Sequence, residues 1–183
     1  MFELQRCNLP RAVRMSVMED INAVHRLAPL HDVDPPDVTL HVLSLEDGDL
    51  SGAIPSHQVE HPGAEVLVPL MERCEWETRR QSFQIIPEGD EIWVIGGAAS
   101  GALYGAGEVL ACRTGVIWAG PRDGDVLFGP TRPLPTGVQS PAMPFRDAGA
   151  PPSCDDVEQL IRYLGRNRTN VRRHGGNYYG KST

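Results

Sequence analysis

Asp155-Asp156 sets two carboxylates side by side, the side chains that acid–base chemistry at a glycosidic bond requires. A working pair must flank the scissile bond with its carboxyls about 5–9.5 Å apart, which sequence neighbours cannot generally do. Ser153 stands before them as a helix N-cap. Acids in a first turn meet the positive end of the helix dipole, so the two read as capping residues. The glycine-rich passage Gly96–Gly107 joins a strand to a helix, where backbone N–H groups can cradle a phosphate. A dinucleotide fingerprint needs glycines at i, i+2 and i+5. Gly97, Gly101 and Gly105 are instead four apart, which lines them along one ridge of a helix. The Walker lysine is missing too, since the chain's one lysine is Lys181. Close helix-to-sheet packing is the better account.

The six histidines, His25, His31, His41, His57, His61 and His174, show no ligand spacing. His57 and His61 are four apart, but Pro55 and Pro62-Gly63 argue against a helix there. Cys7, Cys74, Cys112 and Cys154 contain no Cys-x-x-Cys pair, so no metal site is assigned. With no export signal visible, free buried thiols are the default for them. Trp76, Trp93 and Trp118 could stack on sugar rings, yet two of them fall inside predicted strands and are more simply core. Asn167-Arg168-Thr169 is a glycosylation sequon that matters only in an exported protein. No catalytic residue, metal ligand or cofactor is assigned, and substrate-binding residues stay unknown.

These residues belong to a chain of 183, long enough for one domain with a core, or for one domain and part of another. The net charge of -7, with acids spread along the chain, weighs against a nucleic-acid footprint. No apolar run reaches the roughly 20 residues of a membrane helix. Met1 to Arg6 has no basic segment leading into an apolar one, so cytoplasmic placement is the default.

The elements that must position the glycines run from Ser82 to Gly115. Ser82–Ile86 and Glu91–Ile95 are two β runs around Pro87-Glu88-Gly89-Asp90, a type I turn with proline second. A helix follows, with Leu103, Ala106, Val109 and Leu110 on one face and Gly115 as its left-handed stop. Val116-Ile117-Trp118 starts another strand. Upstream, Phe2–Cys7 is a candidate strand, and Asn8 is the expected N-cap of a helix that Pro29 ends. Val13, Val17, Ile21, Val24 and Ala28 form its stripe, while Arg14, Glu19, Asp20 and Arg26 fall off it. Asp37–Leu45 reads as a central strand, with Val38, Leu40 and Val42 on one face and Thr39, His41 and Leu43 on the other. Glu46–Gly63 is loop chemistry, Glu65–Met71 an edge strand at best, and Glu72–Arg80 a short helical or irregular connection. Ala119–Pro144 is proline-rich and reads as a covering loop or linker. Ser153 opens a last helix with Val157, Leu160, Ile161 and Leu164 in stripe.

Two blocks carry a family resemblance. Gly101-Ala102-Leu103-Tyr104-Gly105, followed by Gly115-Val116-Ile117-Trp118, resembles the non-catalytic N-terminal domain of β-N-acetylhexosaminidases and α-glucuronidases. There a hairpin ending in glycine leads into a Gly-Ala-Leu-Tyr-Gly helix and then a Gly-Val-x-Trp strand. Pro144-Phe145-Arg146, the helix after Ser153, and Asn170-Val171 are similar to the opening of the (β/α)₈ barrel that follows in those enzymes. Asp147 and Ala148 stand where that opening more often has Tyr and Arg. His174 lies one position out of register with a substrate-side histidine of hexosaminidases.

The resemblance implies an α+β fold, a mixed β-sheet with two helices on one face over residues 1–140, and a β-α-β stump of a (β/α)₈ barrel over 141–183. After Val171 the chain reads Arg172-Arg173-His174-Gly175-Gly176, unlike the apolar run of a buried barrel strand. A truncated or frame-shifted product is therefore expected. The implied parent would hydrolyse O-glycosidic bonds in carbohydrate metabolism, with catalytic acids further along the barrel than this chain reaches. The expected partner is the missing barrel of the parent chain, with carbohydrate engaged only by the full-length enzyme and neither nucleic acid nor membrane involved. The competing reading is a small stand-alone α/β module that binds a nucleotide or sugar at the Gly96–Gly107 turn.

Overall fold

The largely buried runs Val38–Ser44 and Glu91–Gly96 make adjacent inner strands of a mixed sheet. A computed structural model of the chain describes residues 1–45, 76–121, 125–142, 163, 166 and 167. In order, its elements are β1 (Phe2–Cys7), α1 (Arg11–Leu27), a 3₁₀ turn (Ala28–His31), β2 (Val38–Ser44), α2 (Trp76–Gln81), β3 (Phe83–Glu88), β4 (Glu91–Gly96), α3 (Ala99–Thr114), β5 (Val116–Trp118), β6 (Val126–Phe128) and β7 (Val138–Gln139). One sheet has the order β1-β2-β4-β3-β7, and β5 and β6 pair in a separate two-stranded ribbon. β1, β2 and β4 run parallel, while β3 is antiparallel to both β4 and β7. The parallel β1–β2 pair needs a crossover, and α1 supplies it.

Both long helices cover one face of this sheet. Val17, Ile21 and Val24 of α1 and Ala102, Ala106, Val109 and Leu110 of α3 share a core with Leu40, Val42, Ile92 and Val94. Each of the valine, leucine and isoleucine side chains among them contributes roughly 1.5–3 kcal/mol on burial. The fold is α+β, with no barrel closure among the described residues.

Several local expectations are corrected. Asn8 does not cap α1, whose N-cap position is Pro10. Its amide instead bridges the end of β2, accepting from the Ser44 N–H at 2.8 Å and donating to the Ser44 carbonyl at 2.9 Å. The hairpin is tighter than a turn over Pro87–Asp90. Pro87 and Glu88 stay in β3, and the loop is Gly89-Asp90 with Gly89 at φ 63°, the left-handed geometry that matches strand twist. Asp20 leaves the solvent face and is 5% exposed. The stretch from Ala119 is more than a covering loop. It contributes β6 and β7, so β5 pairs within the ribbon rather than extending the main sheet. The expected edge strand at Glu65–Met71 and the helix after Ser153 lie outside the described residues, apart from Tyr163, Arg166 and Asn167.

α3 is buried on most of its circumference rather than along one stripe. A Cβ at Gly105 would run into the Val94 side chain and sit 3.0 Å from the Phe83 ring, whereas a Cβ at Gly107 meets nothing within 4 Å. The same substitution should therefore have opposite signs two residues apart. Gly105→Ala is expected to cost about 1–3 kcal/mol by overpacking, and Gly107→Ala to stabilise by up to about 1 kcal/mol through helix propensity. Urea unfolding of the two variants measures both.

Candidate functional site

Among the described residues, four places bring polar or reactive side chains together. The first is the glycine-rich turn into α3. N–H groups here would form the anion cradle, but two of them are already used. Gly97 N–H donates to the Ser82 carbonyl at 2.8 Å and Ala98 N–H to the Arg80 carbonyl at 2.9 Å. Ser100 Oγ donates to the same Arg80 carbonyl at 3.2 Å, and a Cβ on Gly101 would collide with both carbonyls. Carbonyl oxygens thus occupy the positive end of the helix, in the position a phosphate oxygen would take.

The second place is the C-terminal end of α3. Arg132 reaches Glu108 Oε1 with Nη1 at 2.8 Å, its backbone N–H donates to the Cys112 carbonyl at 2.9 Å, and Cys112 Sγ lies 3.6 Å from Glu108 Oε1. Burial, and then the Glu108 charge, push the Cys112 thiol up to about 11, so it is a protonated packing residue rather than a nucleophile. Arg132 pins the crossing segment onto the helix. The chemistry is structural.

The third place joins distant parts of the chain. Arg166 Nε and Nη2 donate to Asp20 Oδ1 at 2.7 and 2.6 Å, and both side chains are 6% exposed. The Arg166 guanidinium also lies 3.8 Å above the Trp118 ring centroid. Trp118, expected to be core from its strand, is only partly buried against the core and serves as a stacking platform for a protein cation.

The fourth place is the sheet face away from the helices, where His41 stacks on Trp93 at 4.0 Å between ring centroids. Trp93 is core, as expected from its strand. His25 and His31 are placed elsewhere. His31 packs on Phe128 with ring centroids 5.1 Å apart, and His25 Nε2 accepts the Phe2 N–H at 2.9 Å. Cys7 is a half-buried free thiol. Asp155, Asp156, His57, His61, His174, Cys74 and Cys154 lie outside the described residues, as does the Trp76 side chain. Asn167 of the sequon is exposed, and its amide donates to the Tyr163 carbonyl at 3.0 Å.

Sequence reasoning missed Asp20, Glu108, Arg132 and Arg6. Their only sequence signal is a charged residue on an otherwise small or apolar helix face or strand, and the partners are far along the chain. Among the described residues no group of three or more His, Cys, Asp or Glu could hold a metal ion, and no helix is long and apolar enough to cross a membrane. No protein-family model, curated protein or solved structure matches the chain.

His25 supplies a pH test of the fold. Burial, and then the nearby terminal amine, hold its imidazole below the ordinary value, in keeping with a neutral acceptor for Phe2. Protonation would set a donor against the Phe2 N–H. Because the folded value is depressed, the contribution is present above about pH 6.5 and lost as pH falls through the lower folded value. The stability difference between the natural chain and His25→Ala is expected to shrink on acidification, read from urea midpoints across about pH 5–8.

Proposed function

We propose that this chain is the non-catalytic N-terminal part of a glycoside hydrolase of the β-N-acetylhexosaminidase or α-glucuronidase type, with the beginning of its catalytic barrel. In this reading the α+β body of residues 1–140 packs against the barrel and supports it. Hydrolysis of O-glycosidic bonds belongs to the full-length parent, and the chain itself is inactive.

The observation that carries the reading is the Asp20–Arg166–Trp118 contact. A carboxylate buried on a helix flank needs a partner, since an unpaired buried charge costs several kcal/mol. The partner comes from the stretch that resembles the first barrel helix, 146 residues away. Trp118, last residue of the Gly-Val-x-Trp strand, adds the stacking face. Two further features agree with a docking surface on the helical side. Met15 and Met18 of α1 are 45% and 36% exposed, and Ile117 and Leu127 form an outward cross-strand pair 51% and 57% exposed. The glycine spacing agrees as well, because Gly101 and Gly105 are used for packing.

Two measurements test this. Purified chain should show no turnover of N-acetylhexosaminide or glucuronide substrates, and turnover abolished by substituting one of its own residues would overturn the reading. A double-mutant cycle of Asp20→Ala and Arg166→Ala should show strong coupling, with either single variant losing about 3–5 kcal/mol. Additive losses would mean that the contact does not tether the C-terminal stretch.

A further inference from the structure

The sheet face away from the helices carries one row of unlike side chains. Strand register sets Arg6, His41, Trp93 and Ile86 side by side across β1, β2, β4 and β3. The His41 ring lies nearly parallel to Trp93, with 14° between planes, and the Arg6 guanidinium carbon is 5.8 Å from the same indole. His41 is 1% exposed. Its Nε2 is 3.3 Å from Glu91 Oε2, an electrostatic contact rather than a well-formed hydrogen bond, and its Nδ1 has no hydrogen-bond partner. Native structures seldom leave a buried polar atom in this state, and such an atom calls for a reason. Among the described residues the charged groups acting on it are Glu91 from β4, Arg6 from β1 and Glu88 from β3.

We propose that His41 is an acid-sensitive latch for this face of the sheet, closed when the ring is neutral and loosened when it is protonated. Neutral, the imidazole completes the row between Arg6 and Trp93. Protonated, it turns Nδ1 from an acceptor into a donor with nothing to receive the proton, and adds a second positive charge next to Arg6. Burial is the larger influence and holds the imidazole below its ordinary value. Glu91 and Glu88 oppose this, and Arg6 reinforces it. The latch therefore holds above about pH 6.5 and weakens as pH falls through the lower folded value. This does not depend on the hydrolase reading, because the row lies on the opposite face from Arg166.

The test is a pH titration of the full chain with ¹³C-labelled histidine, followed by NMR, with Trp93 emission recorded in a Trp76→Phe, Trp118→Phe background. The His41 ring should titrate below about pH 6.5, and Trp93 emission should change with the same midpoint. Arg6→Gln should move that midpoint up and Glu91→Gln should move it down. Glu91 is half exposed, so its variant should fold even if the Arg6 variant does not. A His41 midpoint at or above the ordinary value would overturn the proposal. So would a Glu91→Gln midpoint that stays or rises, or Trp93 emission that is flat through the titration.

Discussion

The close approach of α3 to β3 and β4 is the constraint from which the rest of the architecture follows. With no side chain at Gly101 and Gly105, the helix backbone comes down to the Arg80 and Ser82 carbonyls at one turn and to Val94 and Phe83 at the next. Ala102 and Ala106 continue the small surface and are 0% and 1% exposed. A helix seated this deeply loses its solvent face, and its far side must be covered in turn. Gly115 at φ 72° ends the helix in a left-handed cap. It then sends the chain into β5, whose Val116 is buried against the same core. The ribbon β5–β6 and the segment that follows are the cover. β7 returns to the open edge of β3, where Ser140 Oγ meets Ser82 Oγ at 2.9 Å.

The cover is held at defined points by charge. Glu108 on α3 and Asp20 on α1 are nearly buried carboxylates, and each takes an arginine from far along the chain. Such pairs seldom add much net stability over an apolar contact of the same shape, because both ions lose their water. They do penalise every arrangement in which the arginine is elsewhere. Apolar cover alone could slide over a smooth helix, whereas a guanidinium held to one carboxylate oxygen cannot. Arg132 is the weaker anchor, since its side chain is 55% exposed and screened by solvent. Arg166, buried and stacked on Trp118, is the stronger.

What could be read from the sequence follows from range. α3, β2 and β4 are governed by residues within one or two turns of each other, and periodicity finds them. The left-handed stop at Gly115 and the packing role of the glycine ridge have the same local origin. Asn8 misled because its amide can cap a helix or bridge a strand end, and only the position of Ser44 decides between these. Asp20 misled because helical periodicity places it off the apolar stripe, and its partner is 146 positions away. β6 and β7 are three and two residues long, too short for an alternation to show within proline-rich sequence. On the second sheet face, alternation placed His41 away from the helices. The row with Arg6 depends on a register shift between Leu4 and Arg6 that leaves Gln5 without a partner in the ladder, and nothing in the local sequence signals it.

The distribution of acids bears on how this body is held together. Hydrolysis at a glycosidic centre needs two carboxyls facing one another across a space for substrate. Here Asp20 is bound by Arg166, Glu108 by Arg132, Asp37 by the terminal amine and Glu91 by contact with His41. Glu88 and Asp90 sit at the hairpin tip, on the rim of the sheet. Asp20, Glu108 and Asp37 each answer a neighbouring cation, whereas Glu88 and Glu91 are cross-strand partners that both act on His41. The paired carboxylates Asp20 and Glu108 hold separate parts of the chain together. Asp20 and Trp118 between them fix the position of one side chain, Arg166, by charge from one side and by a ring face from the other.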